Sequence, residues 1–370
     1  MSEYVWTPQQ QAAIDAVTAW LANPRGPQVF RLFGFAGTGK TTLAIHLASL
    51  VRGPVVFAAY TGKAALVMRK KGCTGASTLH SAMYRTNVDS AGRYSTRVNP
   101  DSAIRYAALT VIDEVSMINE MQGRELLSFG RKVLVLGDPF QLPPVKGEGY
   151  FVTDAPDVLL TDVRRQDADN PILKMSIDIR EGRDLVEGHY GQSRIITRDD
   201  LRDETIASAD QILCGLNRTR NRLNQKMRQW RGLQGSANAL HPAQGDRLVC
   251  LRNNHEKGLL NGGLWEVADV REKRGLLSMH LASLDESGVE RDVVVPEEFF
   301  MDAEDTLPWS RRKLSDEFTF GWALTVHKAQ GSAWDDVLLY DESMAFRENA
   351  SRWLYTGVTR AAERITVVLP

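Results

Sequence analysis

The chain has 370 residues, of which 43% are hydrophobic and 25% are charged, and its formal net charge of −1 neither indicates nor excludes a nucleic-acid partner. The length predicts two or three domains, and we expect a soluble, cytoplasmic protein because no apolar run could span a membrane and the start MSEYVWTPQQ lacks the apolar core of a signal peptide. The cysteines Cys73, Cys214 and Cys250 are scattered without CxxC spacing, which predicts reduced thiols and neither a zinc site nor an iron–sulfur cluster.

The first helix is predicted to begin at Thr7, because threonine is a good N-cap and Pro8 suits the first helical position. Gln10 lies in the first turn of this helix, where its amide can face both a donor and an acceptor on adenine. A solvated helix glutamine is the commoner alternative, so this side chain alone carries little weight.

The chain is organised around Gly34–Thr42, GFAGTGKTT, which lies between the apolar run 29–33 and a predicted helix over 43–48. Its spacing is that of a P-loop. Glycines let backbone N–H groups face a phosphate, and the helix N-terminus adds the positive end of its dipole. Lys40 can reach the β- and γ-phosphates, and the Thr41 hydroxyl can ligate Mg²⁺. The loop residues predicted to hold the nucleotide are Gly37, Thr38, Gly39, Lys40, Thr41 and Thr42.

Two apolar runs, Val55–Ala59 and Leu109–Ile112, are typical of buried parallel strands. The first ends in the polar turn 60–65, at the edge where open α/β sheets bind ligands. The second ends in Asp113 and Glu114. Downstream of a P-loop, these carboxylates predict a ligand of the Mg²⁺ shell and a base for the attacking water, respectively.

A third buried strand, 132–136, is followed by Gln141, whose amide is placed to sense the γ-phosphate or to position water. Residues 84–99 are polar, contain a turn at Asp89–Gly92, and predict a β-hairpin. The alternation of strands and helices around a parallel sheet therefore predicts one RecA-like domain over residues 1–150, with the hairpin as an insertion.

The second half has strands and helices but no P-loop of its own. We assign to it the apolar run Val158–Thr161 and a helix from Pro171 to Arg180. Short alternating strands then predict a small antiparallel β unit that interrupts the α/β pattern. The three parts of the second half are residues 151–244, the β unit at 245–312, and residues 313–370. Such a half can complete a nucleotide site only by facing the first half and contributing arginines.

Eight motifs occur in the order and spacing found in superfamily 1B DNA helicases: GFAGTGKTT, TGKAA, STLH, VIDEVSM, GDPFQLPPV, RRQ, ALTVHKAQGS and LYTGVTRA. Over nearly its whole length the chain resembles the RecD-like and phage Dda-like members of that group. The resemblance implies an α/β fold of two RecA-like domains that bind ATP and Mg²⁺ between them and single-stranded DNA across their top. It also implies 5′-to-3′ movement and an SH3-like identity for the β unit.

The same resemblance implies roles for individual residues. Gln10 would read adenine, and Arg165 and Arg360 would act as arginine fingers from the second domain. The implied catalytic set is Lys40, Glu114, Gln141, Arg165 and Arg360, with Gly331 among the nucleotide contacts and Thr41 and Asp113 on Mg²⁺. The residues implied to hold the DNA backbone are Thr61, Lys63, His80, Thr325, His327 and Lys328. In isolation the two histidines would more often be loop or core residues.

Strand separation is the least explicit prediction. This family uses a hairpin inserted before the Asp-Glu motif, and Tyr84 and Tyr94 are the rings of the predicted hairpin that could stack on a base pair. The alternative is a solvated connector whose tyrosines pack on the domain below. Trp322 and Trp353 are predicted to be core residues, with base stacking as the less common alternative.

The functional prediction is an ATP-dependent DNA helicase acting on single strands and duplex junctions. We expect a monomer with no membrane partner, able to work with a replication or recombination protein. Two other enzymes remain open: a translocase or remodelling ATPase that unwinds weakly, and an RNA helicase, since the implied contacts are to backbone rather than to a 2′-hydroxyl. A non-enzymatic ATP-gated binding module is disfavoured, because binding alone needs neither Glu114 nor two arginine fingers.

Overall fold

The computed structural model describes residues 5–88, 94–144, 149–162, 170–236, 238–254 and 256–370. Backbone contacts divide the chain into two units, Met1–Arg183 and Asp184–Pro370. Among the described helices, none is long and apolar enough to cross a membrane. Cys73, Cys214 and Cys250 are free and buried, and burial raises the pKa of Cys73 to about 11 and those of the other two to about 12, so all three remain thiols.

The first unit is built on a parallel sheet. Its strands are β1 (Val29–Gly34), β2 (Val55–Ala59), β3 (Ser77–Thr78), β4 (Tyr84–Val88), β5 (Tyr94–Val98), β6 (Leu109–Asp113), β7 (Val133–Gly137) and β8 (Val158–Leu160). Its helices are α1 (Pro8–Ala22), α2 (Lys40–Ser49), α3 (Gly62–Lys70), α4 (Leu79–Met83), α5 (Glu120–Leu127) and α6 (Pro171–Arg180). The sheet order is β3-β2-β6-β7-β1-β8, and every neighbouring pair is parallel.

Both faces of this sheet are covered, which explains why its strands are apolar throughout rather than alternating. All five residues of β7 are buried. One face packs with α1 and α2 through a cluster that includes Val17 and Leu43, and the other packs against Leu126 and Phe151. The carboxyl ends of β1, β2 and β6 therefore share one edge, where the P-loop, the 60–65 turn and the acidic pair follow them.

The strand at 158–160 belongs to this first sheet, so its placement in the second half of the chain was wrong. It pairs parallel with β1 as β8. The side chain of Gln9 holds the end of β8, since its Oε1 accepts from the N–H of Thr161 at 2.8 Å and of Asp162 at 2.9 Å. The first unit consequently extends past residue 150 and includes α6.

Strands β4 and β5 pair antiparallel with Tyr84 opposite Val98, as the pattern of residues 84–99 predicts. The predicted turn at Asp89–Gly92 and the side chain of Tyr94 lie outside the described residues. Tyr84 packs on the domain below: its hydroxyl donates to a carboxylate oxygen of Glu125, and its ring centroid lies 4.8 Å from that of His80. Burial and the Glu125 hydrogen bond raise the pKa of Tyr84 well above its ordinary value.

The second unit contains two sheets. Its strands are β9 (Gly188–Tyr190), β10 (Ser193–Ile196), β11 (Gln211–Cys214), β12 (Arg247–Cys250), β13 (Leu264–Lys273), β14 (Leu276–Ser283), β15 (Glu290–Pro296), β16 (Phe318–Phe320), β17 (Ala323–Thr325), β18 (Trp334–Tyr340) and β19 (Ala361–Val368). Its helices are α7 (Asp203–Ser208), α8 (Asn217–Trp230), α9 (Trp309–Lys313) and α10 (Ala350–Val358).

The larger sheet runs β17-β11-β18-β19-β10-β9 and is parallel except for the edge pair β9-β10. The smaller sheet runs β15-β14-β13-β12-β16 and is antiparallel. It corresponds to the β unit predicted from residue 245, but it includes β16, which we had assigned to the α/β part. Phe318 and Phe320 are buried in its core and pair with Cys250 and Leu248, so this unit reaches beyond residue 312.

A buried ion pair joins α8 to the smaller sheet. The Arg228 Nε lies 3.0 Å from both carboxylate oxygens of Asp246, and these side chains are 4% and 0% exposed. Burial raises the pKa of Asp246 and the Arg228 guanidinium opposes that rise. The Trp322 indole donates to the same carboxylate at 3.3 Å. Trp322 and Trp353 are both buried, as predicted for core residues.

Candidate nucleotide and nucleic-acid sites

The P-loop has the backbone that a phosphate cradle requires. Gly37 and Gly39 have φ values of 78° and 79°, in the left-handed region that favours glycine, and Gly39 caps α2. The Lys40 ammonium donates to the carbonyl oxygens of Gly34 at 2.6 Å and Phe35 at 2.9 Å, both within the loop itself. No described carboxylate forms an ion pair with Lys40, so this cation is available to an anionic ligand once it leaves those carbonyls.

The residues present fit a nucleotide-bound Mg²⁺. The Thr41 hydroxyl at the start of α2 donates to Asp113 Oδ2 at 3.1 Å, across from the end of β6. A hydroxyl and a carboxylate are hard oxygen ligands of the kind Mg²⁺ prefers, and it keeps several waters and phosphate oxygens besides. The two groups predicted from separate motifs are thus brought to one point, one at the start of α2 after β1 and the other at the end of β6 of the same sheet.

Glu114 occupies an unusual backbone conformation for a residue with a side chain, φ 56° and ψ 47°. This is the left-handed region, which costs a non-glycine residue about 1–3 kcal/mol and recurs at functional sites. Its N–H donates to Asp113 Oδ1 at 2.9 Å, which fixes the turn that carries both carboxylates. The strand β6 therefore ends at this pair, and the roles of the two carboxylates stay predictions.

Gln141 is buried, 7% exposed, and its Oε1 has no hydrogen-bond partner among the described residues. An orphaned buried acceptor costs free energy and calls for a ligand or a water molecule. Its own N–H donates to the Asp138 carbonyl at 3.2 Å, which holds the turn after β7. This arrangement suits a side chain that accepts from an attacking water.

Gln10 has protein partners for both ends of its amide. Its Nε2 donates to the Thr38 carbonyl at 3.0 Å, and its Oε1 accepts from the Thr7 N–H at 3.1 Å as half of a capping box. The side chain is 2% exposed. Reading adenine therefore requires exchange of one of these bonds, and that role stays a prediction. The contact with Thr38 links α1 directly to the P-loop.

Helix α6 also covers the P-loop, a contact that the sequence did not reveal. A Cβ added to Gly37 would lie 2.9 Å from Leu173 Cδ2. The Arg180 guanidinium carbon lies 3.5 Å from the ring centroid of Phe35. Arg165, the first of the two predicted arginine fingers, lies outside the described residues.

Three residues of the first unit predicted to hold nucleic acid lie at or just beyond the carboxyl ends of β2 and β3. Thr61 caps α3 by accepting from the Ala64 N–H at 3.1 Å. Lys63 follows in the first turn and is 8% exposed, and His80 lies in α4 against Tyr84. The fold therefore gathers these residues along the same edge as the P-loop.

In the second unit, Thr325 ends β17, and its hydroxyl accepts from the Lys328 N–H at 3.3 Å. The Lys328 ammonium donates to Asn261 Oδ1 at 2.5 Å, and burial lowers the pKa of Lys328. Asn261 belongs to the loop before β13 and was not predicted to contribute. Its signal in the sequence is the turn Asn261-Gly262-Gly263.

His327 is supported by two stacked rings. Its ring centroid lies 5.3 Å from that of Phe346, and Phe346 lies 5.3 Å from Trp353 with an interplanar angle of 9°. Burial lowers the pKa of His327, so its neutral form is favoured at pH 7. Gly331 follows in the same motif with φ 78°.

Arg360 is 6% exposed and lies between α10 and β19. Its guanidinium donates to the carbonyls of Thr356 and Ser332, each at 3.1 Å, and to the Thr359 hydroxyl at 3.2 Å. These acceptors are neutral, and no described carboxylate forms an ion pair with Arg360. A buried arginine without an anion is suited to meet a phosphate.

A P-loop with its acidic partner on one RecA-like sheet, followed by a second, mostly parallel sheet, defines the two-domain fold of P-loop nucleotide-binding proteins. Residues 6–200 match the family described as AAA domain, and residues 320–368 match the UvrD-like helicase C-terminal domain. The chain belongs to the AAA domain family and, with both domains, to the superfamily 1B helicases of the RecD and Pif1 type.

Two named relatives extend over most of the chain. It is 27% identical to the ATP-dependent RecD2 DNA helicase of Deinococcus radiodurans over 369 residues, which are 92% of this chain and 46% of that protein. It is 24% identical to the ATP-dependent DNA helicase Pif1 of Bdellovibrio bacteriovorus, covering 90% of this chain and 81% of that one. The chain thus spans about half the length of the RecD2 relative.

Solved Pif1 structures share the fold. The complex of Bacteroides Pif1 with ADP-AlF3 and single-stranded DNA has a TM-score of 0.61 at 17% identity and covers 98% of this chain and 92% of that one. Candida albicans Pif1 has a TM-score of 0.58 at 19% identity, with 99% and 94% covered. The predicted pair of RecA-like domains is therefore confirmed.

Proposed function

We propose that this chain is an ATP-dependent DNA helicase that moves 5′ to 3′ along single-stranded DNA and separates duplexes. The observation that carries the proposal is the Thr41–Asp113 hydrogen bond beside the left-handed Glu114, since these three groups form a hydrolytic centre at the P-loop. The relatives named above are DNA helicases, and the Bacteroides Pif1 structure contains single-stranded DNA, which supports the choice of DNA as the track.

The phosphates of ATP would lie on the P-loop amides and Lys40, and Thr41 and Asp113 would hold Mg²⁺, which would neutralise charge on the transferred phosphoryl group. Glu114 accepts the proton of the attacking water, and the free Gln141 Oε1 orients that water. Arg360 and Arg165 supply positive charge where the transition state gains negative charge. Gln10 contacts adenine after giving up one of its two protein partners.

DNA lies along the sheet edges marked by Thr61, Lys63 and His80 in the first unit and by Thr325, His327 and Lys328 in the second. These are hydroxyl, imidazole and ammonium donors, and such groups position a phosphate backbone without reading its sequence. An enzyme that moves along any strand needs to bind the phosphate backbone independently of the base sequence.

ATP hydrolysis measured without nucleic acid, with single-stranded DNA and with single-stranded RNA of the same sequence tests this proposal. We expect stimulation by DNA at Mg²⁺ concentrations that saturate the nucleotide, and little by RNA. Equal stimulation by both would favour the RNA helicase instead, and hydrolysis indifferent to either would contradict a nucleic-acid motor.

Removing the charge of the two lysines should weaken single-strand binding in a salt-dependent way. Lys63→Gln and Lys328→Gln should each lower the slope of log affinity against log salt by up to about one, because each loses one released counterion. Lys132→Gln is the matched control, since the Lys132 ammonium donates to the Trp20 carbonyl on the α1 side of the sheet. A slope unchanged in the double variant would show that the strand runs elsewhere.

One observation favours a second candidate, a translocase that unwinds weakly. Tyr84, one of the two hairpin rings proposed to stack on a base pair, is held by Glu125 and His80. A ring held by these contacts is poorly placed to stack on a base pair and so to act as the wedge that separates the strands. Such an enzyme would hydrolyse ATP on DNA and displace bound proteins while separating strands slowly.

Deleting Asn87 to Thr96 and closing β4 onto β5 with Gly-Gly separates these candidates. If the hairpin is the wedge, DNA-stimulated ATP hydrolysis should persist and duplex unwinding should collapse, because stacking on the junction is worth about 1–3 kcal/mol per base. Unwinding and hydrolysis should be measured on the same preparation, so that hydrolysis reports folding. Unwinding at the rate of the unmodified chain would show that another part of the chain separates the strands.

A further inference from the structure

Three potential metal ligands meet in the second unit, and none of them belongs to the residues predicted to hold nucleotide or nucleic acid. His241 lies in the connection between α8 and β12, Glu272 near the end of β13, and Glu297 just after β15. One ligand atom from each lies within 4.8 Å of the other two. The predicted absence of zinc was drawn from cysteine spacing alone and does not bear on an imidazole–carboxylate set.

The imidazole is buried and only half satisfied. His241 is 3% exposed, and its Nδ1 lies 2.8 Å from Glu272 Oε2 in a hydrogen bond. Its Nε2 lies 3.2 Å from Glu297 Oε2 but has no hydrogen-bond partner among the described residues. A buried ring nitrogen without a hydrogen bond calls for a further partner.

A second histidine on the same sheet shows what the ordinary ion pair looks like. His280 also lies between two carboxylates, and it bonds to both, Nδ1 with Asp292 at 2.9 Å and Nε2 with Glu290 at 3.1 Å. These bonds raise the pKa of His280, as expected for an imidazolium. The His241 arrangement departs from this pattern at Nε2 alone.

The separation at Nε2 matches that of two ligands on one ion. Zinc binds imidazole nitrogen and carboxylate oxygen at about 2.0–2.2 Å, so two such ligands lie roughly 3 Å apart. A ligating histidine usually donates its other N–H to a carboxylate, which fixes the tautomer, and the Glu272 contact at Nδ1 does this. Among the described side chains, neither Glu272 nor Glu297 forms an ion pair with a lysine or an arginine, so their charge is open to a cation.

We propose that His241 and Glu297 bind a divalent transition-metal ion, with Glu272 orienting the imidazole and water completing the coordination. Mixed nitrogen and oxygen ligands select zinc-like ions over Mg²⁺, so this site is distinct from the one that serves ATP. The ion ties the segment before β12 to the segment after β15. The Arg228 guanidinium, which donates to the His241 carbonyl at 2.5 Å, already anchors that segment to α8.

Calorimetric titration of Zn²⁺ into the chelator-treated full chain, in the presence of excess Mg²⁺, tests the site. We expect about one Zn²⁺ per chain that Mg²⁺ does not displace, and affinity about tenfold lower or worse in both His241→Gln and Glu297→Gln. His280→Gln is the matched control and should bind as the unmodified chain does. Zn²⁺ should also raise the midpoint of thermal unfolding of the unmodified chain and not that of Glu297→Gln.

Glu297→Gln keeps the proposal testable if His241→Gln does not fold, since the Glu297 side chain is 30% exposed and its replacement is nearly isosteric. Absence of Zn²⁺ binding to the unmodified chain would overturn the proposal. Binding that persists in Glu297→Gln, or that is lost in His280→Gln, would also overturn it and would leave His241 as a buried hydrogen-bonded histidine.

Discussion

Glu114→Gln is expected to lower ATP turnover at saturating single-stranded DNA by roughly 10²–10⁴-fold, the usual contribution of a general base. Binding of ATP and Mg²⁺ should be preserved, because Lys40, Thr41 and Asp113 remain and the left-handed backbone at position 114 is not altered by an isosteric amide. Turnover under saturating DNA, together with nucleotide affinity by equilibrium titration, measures both parts.

The matched control for this variant is Glu120→Gln. Glu120 lies nearby in sequence, at the start of α5, and its carboxylate pairs with Arg124 at 2.5 Å on the surface. The Glu120→Gln variant should hydrolyse ATP as the unmodified chain does. Wild-type turnover by Glu114→Gln would show that another group takes the proton, and loss of nucleotide binding would show that Glu114 acts on the site's structure.

Arg360→Ala is expected to slow hydrolysis on the order of 10³-fold or more, with a much smaller loss of ATP affinity, because an arginine finger acts on charge that develops in the transition state. The contacts of Arg360 make the choice of variants important. Alanine also removes the guanidinium donor of the Ser332 carbonyl and one of the two side-chain donors of the Thr356 carbonyl, the other being the Thr359 hydroxyl, so part of any loss is structural.

Arg360→Lys separates the two effects, since it keeps the charge but loses the planar fork. Thermal unfolding should place Arg360→Lys close to the unmodified chain while its turnover remains far below it. Arg364→Ala is the matched control: Arg364 lies on β19, half-exposed, and its guanidinium pairs with Asp336 at 2.8 Å. Normal hydrolysis by Arg360→Ala with DNA bound would refute the assignment.

The parts of the fold that could be predicted are those whose pattern is local. A fully apolar run followed by a glycine-rich or acidic turn specifies a buried parallel strand and its ligand-binding end, which is why Gly34–Thr42, Asp113 and Glu114 were found. The antiparallel β unit was found for a similar reason, since short strands with turns between them leave a repeating pattern. The motif spacing then placed these parts in a known family.

The parts that could not be predicted depend on tertiary partners. Strands β8 and β16 have three residues each, too few to show a period, and only their pairing with β1 and β12 decides which sheet they join. The same holds for Gln10, whose two protein partners come from Thr7 and the P-loop carbonyl of Thr38. The periodicity of apolar residues does not indicate such tertiary contacts.

The side chains that contact the predicted site residues could not be predicted from the sequence either. Asn261 lies 67 residues before Lys328, and its amide oxygen meets the Lys328 ammonium only because the fold brings the loop before β13 to the end of β17. Phe346 reaches His327 from the segment between β18 and α10. The positive φ of Glu114 is a further case, because nothing in the residue type marks a left-handed backbone there.

The most direct test of the proposed helicase is ATP-dependent separation of a DNA duplex that carries a single-stranded tail at either its 5′ or its 3′ side. We predict that the chain, with ATP and Mg²⁺, separates the 5′-tailed duplex, leaves the 3′-tailed duplex paired, and loses this activity in Glu114→Gln. Separation of only the 3′-tailed duplex would contradict the direction. Failure to separate either duplex, in a preparation whose ATP hydrolysis single-stranded DNA stimulates, would contradict the helicase itself.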